Sequence, residues 1–325
     1  MNAKMRLGIL VALGLIVAAL APAHAQSDYP NRPIRIIVGF AAGGGNDIFA
    51  RLIGAKLAEL IGQNVIIENK PGAGARIGNE YAANQPADGY TLLVAASGGM
   101  SIASAIYPKL AYHPTKSFAP LTMIANFPLI LAVPADHPAK DVKELVAWMK
   151  ANPDKSNYAT SSPAFTIATE LFKLKTGAPG TPIPYKSSNE SLVSVVGGQT
   201  LLTIADGPPT VPLVKGGQVK ALAVTGAVRS TELPDVPSMA EAGLPEVNTK
   251  LWSGVFVQAA TPAPIVKKLE DTLRKVIADP DVNAKLKAMA VDPGGNAADE
   301  FRAMIDADIK TTAEVVKAAK LEFKD

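Results

Sequence analysis

Three consecutive glycines followed by an amide and a carboxylate, Gly43-Gly44-Gly45-Asn46-Asp47, are the residues of this chain whose type and order most directly suggest chemistry. Glycines can adopt positive φ and let backbone come close to a ligand. Asn46 has the residue type of a helix N-cap, and Asp47 would then lie in the first turn. Unpaired first-turn N–H groups at the positive end of a helix dipole attract anions. The chemistry on offer is the seating of a negative charge, with no bond made or broken. A second polar glycine run, Ser97-Gly98-Gly99-Met100-Ser101, has the same character. Ser97, Gly98 and Ser101 therefore join Gly44, Asn46 and Asp47 as candidate ligand contacts. Phe40, just ahead of the first glycines, either belongs to the core or walls the pocket.

These loops need strands and helices to aim them. Ile34, Ile36, Ile37 and Val38 form an apolar run that predicts a buried strand ahead of the first loop. Ile48, Leu52, Ala55, Leu57, Leu60 and Ile61 supply the apolar face of the helix after it. Asn64–Glu68 predicts a second strand, and Pro71–Gly78 a tight glycine loop that lets a helix pack on the sheet. Thr91–Ala95 predicts a third strand, leading into Ser97–Ser101. Three strand–loop–helix units imply an α/β fold with a parallel sheet, whose ligands sit beyond the carboxyl ends of the strands.

The middle of the chain predicts a second unit of the same kind. Leu121–Val133 reads as a long strand broken by Pro128, crossing from one domain to the other. Strands at Tyr158–Thr160, Pro182–Tyr185, Leu201–Ala205 and Val219–Thr225 alternate with helices at Phe165–Lys175, Asn189–Val196 and Val211–Lys215. Glu241–Lys250 and Leu251–Gln258 read as the return crossover. Three amphipathic helices then follow, at Pro262–Ala278, Asp281–Ala290 and Ala297–Ala318. Trp148 is expected in the core of its helix, and Trp252, beside the crossover, is placed to sense domain closure.

Composition removes several functions. Lys4 and Arg6 precede an uncharged apolar run, Leu7–Leu20, and then Ala23-His24-Ala25, the pattern of a secretory signal peptide cleaved near Ala25. Without residues 1–25, which carry two bases and no acids, the net charge falls from +3 to +1. Charge then gives no support to a nucleic-acid or membrane-surface role. With no cysteine in the chain, there are no disulfides, thiolate nucleophiles or thiolate metal sites. Only His113 and His137 follow the leader, which excludes a His-rich metal site, and no G-x-S-x-G elbow is present. Gly39-x-x-x-x-Gly44 has P-loop spacing but Gly45-Asn46 in place of Lys-Ser/Thr. Gly72-x-Gly74 has Ile77 where a dinucleotide fingerprint needs its third glycine. No cofactor, no metal and no catalytic residue are expected.

Several phrases together carry a family likeness: YPNRPIRIIVGFAAGGGNDIFAR, NVIIENKPGAGARIG, PADGYTLLVAASG, YPKLAYHPTKSFAPLTMIA, PYKSSNESLVSVVGGQ, VKALAVTGAVRSTELPDVPSMAEAGLPE and FVQAATPAPIVKKL. Their order and coverage of nearly the whole mature chain resemble the periplasmic receptors of tripartite tricarboxylate transporters, the Bug/TctC family. The resemblance implies a two-domain Venus-flytrap, each domain a mostly parallel sheet flanked by helices. Residues 26–125 with 245–325 would form domain 1, and 126–244 domain 2. It implies a monomeric receptor in the periplasm that captures a small carboxylate (a di- or tricarboxylate, an acidic amino acid or an aromatic acid) and delivers it to membrane permease subunits. It further implies that the loops at Phe40–Asp47 and Ser97–Ser101 hold a carboxylate through N–H groups, hydroxyls and waters. Domain 2 would add the loop Thr160–Thr166, with Ser161, Ser162 and Thr166, and Tyr185 and Asp206 nearby. Tyr185 and Asp206 are also read as hydrogen-bonded interdomain residues, and Lys186 and Arg76 as solvated.

The chain departs from the family at Ala41-Ala42, where Pro-Pro is usual, and at Asn46, where Ser or Thr is common. It also has Ala168 in place of a His and Ser187 in place of a Gly. Two other functions fit the same residues. One is an exported hydrolase or lyase using Asp47 or Asp206 with a nearby Ser. The other is a ligand receptor for a sensor kinase.

Overall fold

Five residues, Ile34–Val38, form strand β1, because four of them are apolar and wholly buried while Arg35 turns its guanidinium to Glu68, Gln85 and Thr91. The computed structural model describes residues 29–319. The predicted signal peptide lies outside them. Helix α1, Gly45–Ile61, follows and closes on Gly62, which takes the left-handed cap at φ +70°. Next come β2 (Val65–Asn69), α2 (Arg76–Ala83), β3 (Thr91–Ala96) and α3 (Ser101–Ile106). Strand β4, Phe118–Pro128, ends the first run, and β5, Ile130–Pro134, opens the second. The second run comprises α4 (Val142–Ala151), β6 (Asn157–Thr160), α5 (Pro163–Thr176), β7 (Thr181–Pro184), α6 (Ser188–Val196), β8 (Leu202–Ala205), α7 (Gly207–Lys215) and β9 (Val219–Val224). The chain returns through β10 (Lys250–Gln258), α8 (Ala263–Ala278), α9 (Pro280–Ala288), β11 (Asp292–Pro293) and α10 (Ala298–Ala319).

The strands make two sheets within one compact unit that begins at Arg32. The first has the order β11-β4-β10-β3-β1-β2 and the second β7-β6-β8-β5-β9. In the first, β2, β1 and β3 run parallel, while β10 lies antiparallel between β3 and β4. In the second, β7, β6 and β8 run parallel and β5 lies antiparallel between β8 and β9. Both sheets are therefore mixed. Each owes its central antiparallel strand to a chain that has just left the other sheet. Pro128 breaks the expected long strand: the ladder of the first sheet ends there, and Ile130 begins the ladder of the second. The return works in the same way, since β9 pairs with β5 and β10 with β4.

The first core gathers Ile37, Leu93, Phe118, Trp252, Phe256 and Phe301, with Trp252 edge-on to Phe301 at 5.2 Å. Trp252 is thus an inward residue of β10. Trp148 is only half-buried and stacks edge-on against His137 at 4.9 Å, because the apolar face of α4 is carried by Leu145 and Met149. On α1 the buried stripe is Phe49, Ile53 and Leu57, an i, i+4, i+8 row, whereas Leu60 is 48% exposed. The expected face was rotated because apolar residues occur on both sides of this helix.

Candidate functional site

Strand β1 delivers the chain into Gly39-Phe40-Ala41-Ala42-Gly43-Gly44. Two positions there require glycine. Gly43 has φ +81°, and a side chain at Gly39 would meet Ala75 Cβ at 2.7 Å, so the Pro71–Gly78 loop packs directly on this one. Helix α1 starts at Gly45 with Gly44 as its N-cap, and Gly44 brings no capping side chain. The expected cap, Asn46, is instead inside the first turn, because the glycines already supply the extended backbone a cap requires. The first-turn N–H groups are consequently left to partners from outside the helix.

Asp47 fixes the loop through its own hydrogen bonds. It is 2% exposed and accepts from Gly43 N at 2.9 Å, from Arg51 Nε at 2.9 Å and Nη2 at 3.0 Å, and from Asn69 Nδ2 at 2.9 Å. Burial raises its pKa. Arg51, the Gly43 N–H and Asn69 outweigh that and hold the carboxyl below its ordinary value. Asn46 accepts at Oδ1 from Ser253 Oγ at 2.7 Å, so its NH2 is the group it can offer. Ser253 lies on β10 next to Trp252, whose backbone N–H faces Ser97 Oγ at 3.5 Å. Trp252 Nε1 donates to Asp308 Oδ2 at 3.0 Å, and Ser101 donates to the same oxygen. The two expected loops of the first sheet are therefore linked through β10 and α10, with Ser101 donating into that link and Ser97 Oγ accepting from it.

The second sheet closes over this loop with three helix starts. Ser162 caps α5, accepting from Phe165 N at 3.4 Å, and Pro163 fills the first helical position. Ser187 caps α6, accepting from Glu190 N at 3.2 Å, which gives the Gly-to-Ser departure a purpose. Asp206 precedes α7, which begins at Gly207, four residues before the predicted start at Val211. Its early turn accepts Pro208 and Pro209 because their missing N–H groups would be unpaired there in any case. With α1, four helix N-termini point into one place. Ala41 N donates to Lys186 O at 3.2 Å, and Gly45 N to Ser188 Oγ at 3.4 Å.

Phe40, Gly44, Gly45, Asn46, Ser161, Phe165, Ser188 and Asp206 enclose a chamber of about 10 Å³, near the size of one water. Five of the sequence-predicted residues meet here. Gly45 and Phe165 lie in the predicted loops Phe40–Asp47 and Thr160–Thr166 without having been singled out; Ser188 was not foreseen, and it could have been found as the first helical residue behind a serine cap. Burial pushes the Asp206 carboxyl up to about 6, against hydrogen bonds from Ser188 and the Gly45 N–H. Its Oδ1 and the Ser161 Oγ are buried without a partner. Beside the chamber lies a recess of about 290 Å³ lined by Gly74, Tyr107, Ser161, Ser162, Thr166 and Tyr185. Thr166 bonds Thr160 Oγ1 at 2.9 Å, and Tyr185 donates to Ser194 at 2.6 Å, so the recess meets their hydrocarbon as much as their hydroxyls. Gly98 touches the start of α5, where a side chain would come within 3.1 Å of Ala164 Cβ. Ala168 is buried in α5, outside both linings. Lys186 is exposed, as expected, while Arg76 stacks on Tyr107 at 3.8 Å instead of standing free. No cluster of metal ligands occurs among the described residues.

A two-sheet chain whose helix starts converge between the sheets fits a binding protein, and comparison with known proteins decides which kind. Residues 49–321 match the model of the tripartite tricarboxylate transporter family receptor, TctC. The chain belongs to that family. BugT of Bordetella pertussis is 31% identical over 322 residues, spanning 97% of this chain and 98% of the relative. Among solved structures, MatC from Rhodopseudomonas palustris, with bound malate, superposes with a TM-score of 0.85 at 30% identity, covering 89% of this chain and 100% of that one. A second R. palustris protein, solved with adipate, gives 0.86 at 33%, covering 91% and 99%. TctC-family members are periplasmic solute-binding receptors, and this chain has their two-lobed α/β fold.

Proposed function

We propose that this chain is an exported periplasmic receptor that captures a small carboxylate between its two lobes and passes it to the permease subunits of a tripartite tricarboxylate transporter. The observation that carries this reading is the uncapped N-terminus of α1, closed over by three further helix starts from the opposite sheet. Several positive dipole ends and N–H donors in a nearly dry site favour a carboxylate. The relatives solved with malate and adipate make small organic acids the first ligands to try.

The chamber is too small for a ligand carboxylate as it stands, so entry requires the second lobe to draw back. The lobes would be residues 26–125 with 245–325, and 126–244. They would pivot where β4 passes into β5 and where the chain returns to β10. Leader cleavage near Ala25 would release the chain to the periplasm as a monomer. Binding would leave the ligand chemically unchanged. The competing hydrolase reading would use Asp206 as base toward Ser188, and the chamber lining contains no histidine to assist it.

Calorimetry of the mature chain against mono-, di- and tricarboxylates tests the reading. Hydrogen bonds to charged groups contribute about 1.5–3 kcal/mol each. Several of them are consistent with micromolar affinity, about −8 kcal/mol. The expected result is such binding with the recovered ligand unaltered. Binding of a sugar or a metal ion and of no carboxylate would overturn the assignment, and turnover lost in Asp206→Asn would favour the hydrolase.

A further inference from the structure

The chamber holds an acid where a binding site for acids would be expected to hold none. Asp206 is 4% exposed and stands against the N-terminus of α1 so closely that a side chain at Gly45 would overlap its Oδ2. One carboxylate oxygen has partners, since Ser188 and the Gly45 N–H both donate to this group. The other, Oδ1, has none, and neither has the neighbouring Ser161 Oγ at 7% exposure. A buried acceptor without a donor is costly. A carboxylate seated on the Asn46 N–H, beside the Gly45 N–H that Asp206 and Ser188 already share, would also lie beside a second negative charge.

One ligand chemistry answers both difficulties. A hydroxyl or an ammonium on the carbon next to the seated carboxylate would donate to Asp206 Oδ1 while the carboxylate keeps the helix N-terminus. We propose that Asp206 makes this receptor select 2-hydroxy or 2-amino acids over acids that are unsubstituted at that carbon. The proposal rests on the carboxylate reading and narrows it to a substitution pattern. The acceptor is an aspartate carboxylate rather than a neutral oxygen, so it favours a strong donor and an ammonium most. Phe40 and Phe165 wall the chamber, which leaves room for about one water, so a ligand donor has little solvent to compete with.

The test is calorimetry of the mature chain with two matched series: succinate, malate and aspartate, and phenylacetate, mandelate and 2-phenylglycine. In at least one series the hydroxy or amino acid should bind about tenfold or more tightly than its unsubstituted partner, the value of one charge-assisted hydrogen bond. Asp206→Asn, checked by its melting curve, should reduce that ratio to under about threefold. Equal affinities within both series in the wild type overturn the selection, whatever the variant does, and leave the carboxylate reading standing. A ratio that survives Asp206→Asn in a folded variant also overturns it. Binding of none of the six acids overturns the selection, and the broader panel then decides the carboxylate reading separately.

Discussion

The sharpest lever on this structure is Gly45→Ala. The glycine occupies the first helical position of α1 with no positive φ, so alanine fits the local backbone and should favour the helix by up to about 1 kcal/mol. The added methyl would overlap Asp206 Oδ2 and sit 2.8 Å from its Cγ. Non-bonded carbons approach only to about 3.5–4.0 Å, so the carboxylate must retreat by roughly 1 Å. That breaks its bond from the Gly45 N–H, which tolerates little stretching. One hydrogen bond to a charged group is worth about 1.5–3 kcal/mol, so the closed arrangement should lose about 10- to 150-fold in population. Calorimetry should report that fall in carboxylate affinity, and small-angle scattering should report a larger radius of gyration with ligand present. Thermal melting should stay within a few degrees of wild type. If Gly45→Ala binds like wild type and compacts normally with ligand, the idea that the second lobe shuts against the start of α1 is wrong.

The remaining predictions follow from the same contacts. Asp47→Ala removes the acceptor for Gly43, Arg51 and Asn69 and should cost about 2–3 kcal/mol in urea unfolding, discounted for the half-exposed Arg51; an unchanged midpoint would refute the bracing role. Asp206 has a raised pKa in the closed fold, so its favourable contribution is full below about pH 4 and fades as pH rises through about 6, by at most about 3 kcal/mol. Asp47 has the opposite sign: its lowered pKa gives stability that is present above about pH 4 and is lost in acid. Denaturation between pH 4 and 8 should therefore show a decline that Asp206→Asn flattens, and parallel profiles would refute this. Trp148→Phe leaves Trp252 as the single tryptophan, one residue from the Ser253–Asn46 bond, and should retain the ligand-induced change in emission; its loss would show that Trp148 is the reporter.

The central pattern of this fold is readable where one physical signal dominates. Strand β1 is apolar at four of its five positions, denser than a helix face needs, and the glycines after it read as a loop. The crossover at Pro128 is legible too, because the first sheet's ladder stops at that proline, although Pro120 within β4 and Pro182 within β7 stay paired. The signal fails where two solutions satisfy the same rule. Both Gly44 and Asn46 can start a helix; the extended backbone at Gly44 and the bond of Asn46 to Ser253 go with the first. Both sides of α1 offer apolar residues, and the sheet selects Phe49 and Ile53. Asp47 and Asp206 look alike as strand-end or helix-start carboxylates. Arg51 and Asn69 neutralise one, while burial without a cation isolates the other, and those partners arrive from 4 to 22 residues away. The convergence of helix starts from two sheets is a property of topology, so local sequence cannot announce it. Ser188 can be placed at a helix start from its serine cap, but not beside the start of α1.

A crystal structure of the mature chain with the tightest-binding acid of the panel tests the central claim most directly. The account predicts a ligand carboxylate within hydrogen-bonding distance of the Asn46 N–H at the start of α1, with the Ser161 and Asp206 loops closed over it. A ligand lodged only in the recess by Tyr107 and Tyr185, with the start of α1 making no contact to it, would contradict the claim.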